Sequence, residues 1–508
     1  MYQFRAGKTL SALGLVLGLG IAGGVQAAAP APAGNPSTAI AIMQAGAAFQ
    51  AQDCAAAIPP LTQLWNDPSV AAADPALAAQ FRTQLIACTA QTQGMAAALV
   101  LSTTNIARAD ASASDYDLHV FLQLVDKQNA AAAATLNAGL TKFSGNAADF
   151  SDMSVFGTLL AIRDGDPVAM HSLLNHLEEV HWQAHSLSSR PLIGYLRMTA
   201  LREAVAAGDT VHADLYRGDI AAATMVYVVS QGDGTLSSGA VAPQDIKPVI
   251  GKEIDDLKTW VAANPTDLLS LSILMSLERA DDQDALALTQ LNGILALIDQ
   301  YGLDKFDSTG MYGELLTDKA EMLADIGRDA DAKAAYAAGA AKLTGDDKTN
   351  LQLSWMNYLT DGGDEKAGIE LAGGIELAGG IALASGDSYM IQAATLTANL
   401  GCAYGYAGDE PAFAQAANAL AAVPIMRIKP YLCAGDAEGA ARDLIAAMAD
   451  PDSRNQVILF MQDGLPPIAF GPRDQAYVAA LAALKKRPDV LAAAAANHIL
   501  VRTWPLRF

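Results

Sequence analysis

Residues 313–346, GELLTDKAEMLADIGRDADAKAAYAAGAAKLTGD, contain two helical segments that meet at a glycine. Apolar residues recur three and four positions apart on both sides of Gly327, which is the spacing of one face of an α-helix. Small and large side chains follow a fixed order at seven positions of this pattern: Leu316, Ala320, Leu323, Gly327, Ala332, Tyr336 and Gly339. The stretch therefore predicts a hairpin of two closely packed helices.

Each part of the hairpin has a physical role. Ala320 and Gly339 are small enough for the two helices to approach, and Tyr336 fills the groove between them. Gly327 can take the positive φ that ends the first helix. In its length and residue order this window resembles a tetratricopeptide repeat, a helical hairpin of about 34 residues. The resemblance implies an all-α fold, a right-handed superhelical solenoid of antiparallel helical hairpins.

Weaker copies of the same turn occur elsewhere in the chain. Ala207-Gly208-Asp209, Ala407-Gly408-Asp409 and Ala434-Gly435-Asp436 repeat three residues in which glycine ends one helix and aspartate caps the next. The repeats are degenerate, of a tetratricopeptide-like or Sel1-like kind, and we expect them to cover most of 36–508. Residues 368–385 repeat a six-residue unit, which indicates a duplication in a loop or at a helix end.

One segment interrupts the helical pattern. Residues 225–229 are β-prone, and residues 231–243 read as an exposed loop. The loop is a candidate boundary between two helical-repeat halves, 37–230 and 244–508. A buried helix end followed by a long surface loop fits this segment equally well.

The first residues have the features of a secretory signal peptide. Arg5 and Lys8 precede an uncharged apolar run, and small residues allow cleavage after Ala27. We therefore expect a signal peptide over 1–27, a flexible leader over 28–36 and a periplasmic or secreted protein without stable membrane insertion. Loss of the two cations would change the net charge from −22 to −24. An uncleaved membrane anchor is the alternative.

Export to an oxidising compartment favours disulfides between the four cysteines, which form two distant groups. The simplest pairing joins Cys54 to Cys88 and Cys402 to Cys433. Cys54 begins one helix and Cys88 ends a neighbouring antiparallel helix, so that their Cα atoms can approach to disulfide distance. The alternative is four buried free thiols.

Histidines cluster between residues 171 and 185. On a continuous helix, Glu178, His181 and His185 would lie on one face, and His176 is close by. Imidazole and carboxylate are ligands of zinc and copper, so these four residues form a weak candidate metal site. Structural or solvated histidines are the alternative.

Composition excludes several classes of function. The chain of 508 residues is 52% hydrophobic and 6% aromatic, which argues against disorder and against an all-β fold. The chain has 54 acidic and 32 basic residues, and its net negative charge would repel the phosphates of nucleic acid. The basic-aromatic segment from Arg502 to Phe508 could dock onto this acidic body or onto a partner.

We find no catalytic motif and no cofactor motif, so we expect a protein that is not an enzyme. The resemblance implies an exported scaffold or adaptor whose groove binds a protein, a peptide or an envelope polymer. One alternative is a carbohydrate-binding or small-ligand-binding protein, or an envelope enzyme with an unrecognised site. Another is a metal-handling protein that uses the histidine cluster.

Overall fold

The computed structural model describes residues 36–163, 165–185, 190–220, 224–236, 246–375, 388–451, 453–465 and 471–507. The regular structure of these residues is α-helical except for short 3-10 turns and one pair of short parallel strands. The all-α class expected from the sequence is confirmed. The proposed signal peptide, and most of the six-residue duplication, lie outside the described residues. No helix of the described part is long and apolar enough to span a membrane.

The chain divides into two compact units, Met1–Leu196 and Arg197–Phe508. The described part of the first unit consists mainly of helices that pair with their neighbours in sequence. Its helices are α1 (Pro36–Gln50), α2 (Cys54–Asn66), α3 (Pro68–Ala73), α4 (Pro75–Gln93), α5 (Met95–Ile106), α6 (Ala113–Val125), α7 (Asn129–Lys142), α8 (Asp152–Arg163), α9 (Pro167–Glu179) and the start of α10 (Arg190–Ala207).

The second unit begins within α10, and its described residues form five successive helical hairpins. Before them come α11 (Thr210–Ile220), α12 (Thr224–Gly232) and α13 (Ile246–Ala263). The hairpins are α14–α15 (Leu268–Ala280, Asp284–Tyr301), α16–α17 (Tyr312–Asp325, Asp329–Lys342), α18–α19 (Gly345–Asp361, Glu365–Gly373), α20–α21 (Ser388–Ala407, Glu410–Ala419) and α22–α23 (Pro424–Cys433, Ala437–Ala449). After them come α24 (Arg454–Met461), β1 (Asp463–Leu465), α25 (Pro472–Lys485), α26 (Pro488–Ala496) and β2 (Thr503–Arg507).

The hairpin α16–α17 has the packing expected of residues 313–346. Ala320 and Tyr336 are fully buried in one core, as are Leu316, Leu323 and Ala332. Gly327 has φ +76° at the turn. A Cβ at position 339 would overlap the side chain of Leu351 on α18, so this glycine lets the next hairpin approach.

The repeated Ala-Gly-Asp turns act as the sequence predicts. Gly208, Gly408 and Gly435 all have positive φ, between +71° and +75°. The Asp409 side chain accepts a hydrogen bond from the Ala412 N–H at 3.2 Å, and Asp436 accepts one from Gly439 at 2.8 Å. These aspartates therefore cap the second helix of each hairpin.

The structure brings both predicted cysteine pairs together. Cys54, the first residue of α2, lies beside Cys88 of α4 with Cα atoms 4.9 Å apart. Cys402 of α20 lies beside Cys433, the last residue of α22, with Cα atoms 5.1 Å apart. Each pair joins a helix to a non-adjacent helix in the sequence, so each bridge ties one hairpin layer to the next.

Close contact between α20 and α22 depends on a glycine next to the second bridge. A Cβ at Gly405 would lie 2.9 Å from the backbone nitrogen of Ala434. We expect Gly405→Ala to lower the free energy of unfolding by about 1–3 kcal/mol, because one backbone must move to admit the methyl group. Urea unfolding of the oxidised protein measures the change.

A glycine in α13 is the matched control for this substitution. A Cβ at Gly251 would meet no atom within 4 Å. Gly251→Ala should therefore stabilise the protein by up to about 1 kcal/mol, the difference in helix propensity. Equal effects of the two substitutions would contradict the close-approach explanation.

The β-prone segment 225–229 is not a strand, because it lies within α12. Val226, Tyr227, Val228 and Val229 are all buried. A helix buried on every side favours apolar residues whatever their intrinsic β-propensity, and tertiary packing decides the conformation here. The alternative interpretation, a buried helix end, describes this part of the chain.

The predicted loop 231–243 is described only as far as residue 236, and that part is not an exposed loop. Asp233 and Leu236 are buried, and the Gly234 N–H donates to the carbonyl oxygen of His498 at 2.7 Å. Residues 231–236 thus belong to the second unit, and the boundary between the two compact units along the chain falls between Leu196 and Arg197. Contacts with the last residues of the chain, which no local sequence pattern indicates, hold residues 231–236 in place.

The last residues of the chain pack on the first elements of the second unit. Trp504 and Leu506 of β2 are buried, and the Arg502 guanidinium donates to the carbonyl oxygen of Gln231 at 2.7 Å. Arg507 pairs with Asp284 at 2.6 Å and also with Asp282. The basic-aromatic tail therefore docks onto the acidic body of the protein itself.

A buried carboxylate joins the C-terminal elements to the first elements of the second unit. Asp233 is fully buried and pairs with Arg202 and Arg454, each at 2.6 Å. Burial by itself raises the pKa of Asp233, but the hydrogen bonds and charges of the two arginines outweigh it and lower the pKa. The carboxylate is therefore ionised and joins α10 to α24.

Loss of the charge at position 233 should strongly destabilise the second unit. Asp233→Asn leaves two largely buried guanidinium groups without their counter-charge, and we expect a loss of about 3–5 kcal/mol in the free energy of unfolding. Asp331→Asn is the control, because Asp331 forms an exposed pair with Arg328 and should have little effect. Thermal or urea unfolding of the two variants distinguishes them, and equal stability would contradict this role of Asp233.

Candidate functional site

The histidine cluster does not form the predicted helical face. Helix α9 ends at Glu179, and His181 follows with φ +54°. Since the chain has left the helix before His181, Glu178, His181 and His185 are not aligned at helical spacing.

Two of these histidines contact other partners. His176 Nδ1 pairs with the side-chain oxygen of Asn137. His185 Nδ1 lies 3.0 Å from Asp152 Oδ1, and its other ring nitrogen contacts the carbonyl oxygen of Ala148. Burial lowers the pKa of His185, but the bonds to Asp152 and Ala148 outweigh it and raise the pKa. Within the described ranges, no group of three or more His, Cys, Asp or Glu residues is arranged to hold a metal ion.

A different surface collects polar side chains in the second unit. The first helices of the five hairpins, α14, α16, α18, α20 and α22, pack in series, and we call the surface they share the first-helix face. Polar contacts cross from helix to helix along it: Glu321 of α16 accepts from Ser354 of α18, and Asn399 of α20 donates to the Leu353 carbonyl of α18 at 3.1 Å. The distance between neighbouring helices of the first-helix face is therefore set by how closely successive hairpins pack.

One end of the first-helix face, which we call the acidic stretch, surrounds an arginine with carboxylates. The Arg279 guanidinium of α14 lies 2.8 Å from Asp325, 3.6 Å from Glu321 and 3.7 Å from Asp318. It also lies 3.7 Å from Asp284, which Arg507 binds. Acidic groups outnumber the basic groups here, so the acidic stretch favours a further cation.

Burial controls protonation within the acidic stretch. The Asp318 side chain is 14% exposed, and burial together with the neighbouring Glu321 raises its pKa to about 8. Burial also raises the pKa of Asp325, although the charge of Arg279 opposes this shift. The charge of the stretch therefore changes near neutral pH.

A helix of the protein itself covers the other end of the first-helix face. Helix α25 packs on α18, α22 and α23, and we call the residues beneath it on the first-helix face the covered stretch. Lys429 of α22 pairs there with Asp361 of α18 at 2.9 Å and also contacts Asn357. Tyr406 of α20 and Glu365 at the start of α19 complete the set. The covered stretch is thus a polar seat for a helix.

Two open grooves on the described surface offer no catalytic arrangement. One lies between α15, α16 and α17, where Asp331 faces Lys319 and Arg328, and the other lies between α2, α4 and α5 around Trp65. Neither groove is lined by a pair of carboxylates, the arrangement that most glycoside hydrolases use.

Comparison with known proteins finds likeness in structure only. No protein-family model matches the chain, and no curated protein matches it. Among solved structures, a chain described as "Crystal structure of APC/C hetero-tetramer Cut9-Hcn1" is 11% identical with a TM-score of 0.28, over 91% of this chain and 96% of that one. The hairpin packing of the chain itself, and not this likeness, establishes the all-α fold.

Neither the acidic stretch nor the covered stretch matches a known sequence motif. The signal for the acidic one is present in α16, where Asp318, Glu321 and Asp325 are spaced by three and four residues and so share a helical face. The covered stretch has no such signal, because its residues come from four separate helices.

The raised pKa of Asp318 predicts a pH-dependent stability. Between the pKa of an unfolded aspartate, about 4, and about 8, the folded protein holds one proton more than the unfolded chain, so stability falls as the pH rises. From pH 5 to pH 8, we expect wild type to lose about 1–3 kcal/mol more than Asp318→Asn, measured by urea unfolding.

An exposed aspartate provides the control. Asp331→Asn should keep the pH dependence of wild type, because this side chain is 54% exposed. Identical pH dependence in wild type and Asp318→Asn would show that Asp318 does not carry the effect.

Proposed function

We propose that the protein is an exported scaffold that binds a segment of another polypeptide on the first-helix face of its second unit. The observation that supports this function is α25, a helix that packs against α18 and α22 of this face and also against α23. Stacked hairpins present side chains from successive helices in one row, which suits a helix or an extended peptide.

The acidic stretch indicates the charge of the bound segment. Arg279 is 24% exposed at its side chain and is surrounded by the carboxylates Asp284, Glu321 and Asp325. Asp318 lies beside them but is mainly protonated at neutral pH, because its pKa is raised to about 8. Opposite charge favours encounter and orientation, so a lysine or arginine of a partner is the favoured contact. The net charge of −22 acts in the same direction.

Two features support an extracytoplasmic location as part of this proposal. The four cysteines lie in two pairs at disulfide distance. Such bridges persist in oxidising compartments and are rare in the cytosol. The first 27 residues have the charge and apolar pattern of a signal peptide.

Site-specific cross-linking in the native envelope tests the scaffold function. A photo-reactive residue in place of Glu321, whose side chain is 37% exposed, should capture a defined polypeptide. The same residue in place of Lys333, exposed on α17, should not capture it. Asp325→Lys should weaken the capture at position 321, because it reverses a charge of the acidic stretch. Mass spectrometry identifies the products, and equal capture at both positions would contradict the proposal.

A further inference from the structure

Helix α25 contacts the covered stretch through an arginine and a tyrosine one turn apart. The Arg473 guanidinium lies 4.7 Å from the centre of the Tyr406 ring and pairs with Glu365. The Tyr406 hydroxyl donates to the carbonyl oxygen of Arg473 at 3.3 Å. A guanidinium over an aromatic face and beside a carboxylate is a directional contact that lysine does not reproduce.

Tyr477 of α25 occupies a second position on the covered stretch. The Lys429 ammonium lies 5.5 Å from the centre of the Tyr477 ring, and Asp361 and Asn357 hold that ammonium in place. Arg473 and Tyr477 are four residues apart and therefore lie on the same side of α25. The covered stretch thus has one position for a guanidinium and one for an aromatic ring.

An unsatisfied carboxylate oxygen lies beside these positions. Asp361 is 4% exposed, and its Oδ2 pairs with Lys429. Its Oδ1 is buried and has no hydrogen-bond partner among the described residues. A buried acceptor without a donor is costly, so a hydrogen bond to this oxygen from a bound segment would be favourable.

Helix α25 is held mainly by polar contacts, which include a hydrogen bond of 3.0 Å from the Lys485 ammonium to the carbonyl oxygen of Gln462. Of its residues, Asp474 and Leu484 are buried, whereas the alanines Ala476, Ala479, Ala482 and Ala483 are exposed. By contrast, Met461 of α24 and Leu506 of β2 are fully buried. Segments with few buried apolar contacts open at lower free energy than the core, so α25 can leave its seat while α24 and β2 stay in place.

From these contacts we propose that the covered stretch is a binding site for a partner helix carrying arginine and tyrosine in the order Arg-x-x-x-Tyr, and that α25 occupies this site in cis until the partner displaces it. This inference deepens the scaffold function proposed above and rests on it. The helix seated there shows which chemistry the site recognises. Only molecules in which α25 is displaced can bind a partner. The apparent affinity is therefore the intrinsic affinity multiplied by the fraction of such molecules.

A peptide added in trans tests the inference on the full-length, oxidised protein. The probe is a fluorescent synthetic peptide of residues 471–487, GPRDQAYVAALAALKKR. The protein is wild type or the double variant Arg473→Ala with Tyr477→Ala, which weakens the seat of α25. Because the cis competitor is weakened, we expect the double variant to bind the peptide at least about tenfold more tightly than wild type, measured by fluorescence anisotropy.

Two controls show that binding uses the covered stretch. A peptide in which the residues corresponding to Arg473 and Tyr477 are replaced by Ala, with Arg487 kept, should bind neither protein. Adding Lys429→Ala to the double variant should reduce binding of the original peptide at least about tenfold, whereas Lys333→Ala on the exposed surface of α17 should not. Circular dichroism and a count of free thiols establish that each variant is folded and oxidised.

Specific results would overturn the inference. A folded double variant that binds the peptide no better than wild type would show that α25 does not mask a site. A wild-type dimer that dissociates in the double variant would make a second copy, and not a partner helix, the occupant. Capture from position 321 depends on the acidic stretch, so it would persist if only the role of α25 were wrong.

Discussion

The distance to which two helices can approach controls the architecture of this protein. Ala320 and Gly339 admit close packing within and between hairpins, and Tyr336 fills the space that remains. The same constraint acts between α20 and α22, where Gly405 lies against the backbone of Ala434. The Cys402–Cys433 pair, with Cα atoms 5.1 Å apart, is possible because these helices are already close. The abundance of alanine and the low aromatic content of 6% follow from this mode of packing.

Charge pairing closes the second unit on itself. A row of hairpins leaves apolar surface at its ends, and such ends need a cover. Here β2 supplies Trp504 and Leu506 as cover, and arginines of the C-terminal region anchor it through Asp233 and Asp284. The chain has 32 basic residues against 54 acidic ones, so pairs of this kind engage scarce cations inside the unit.

The two ends of the first-helix face also differ in how their charges are paired. The acidic stretch has more carboxylates than cations around Arg279, whereas the covered stretch has its carboxylate Asp361 paired with Lys429 and overlaid by α25. A partner that brings cationic and aromatic side chains would complement both ends. Protonation of Asp318, whose pKa is raised to about 8, adjusts the attraction at the first of them. Electrostatics and helix packing therefore favour the same class of partner.

Interactions between residues near in sequence were open to prediction from the sequence alone. The helical class, the hairpin at 313–346, the Gly-Asp turns and caps, and two cysteine pairs separated by 34 and 31 residues all depend on local spacing. The conformation of 225–229, the end of α9 before His181 and the seat of α25 were decided by tertiary structure. The contact of Arg502 with Gln231 joins residues 271 positions apart, and no local pattern encodes such a meeting. Periodicity and capping record the free energy of nearby residues, whereas burial of Asp233 or Trp504 exists only once distant segments have packed.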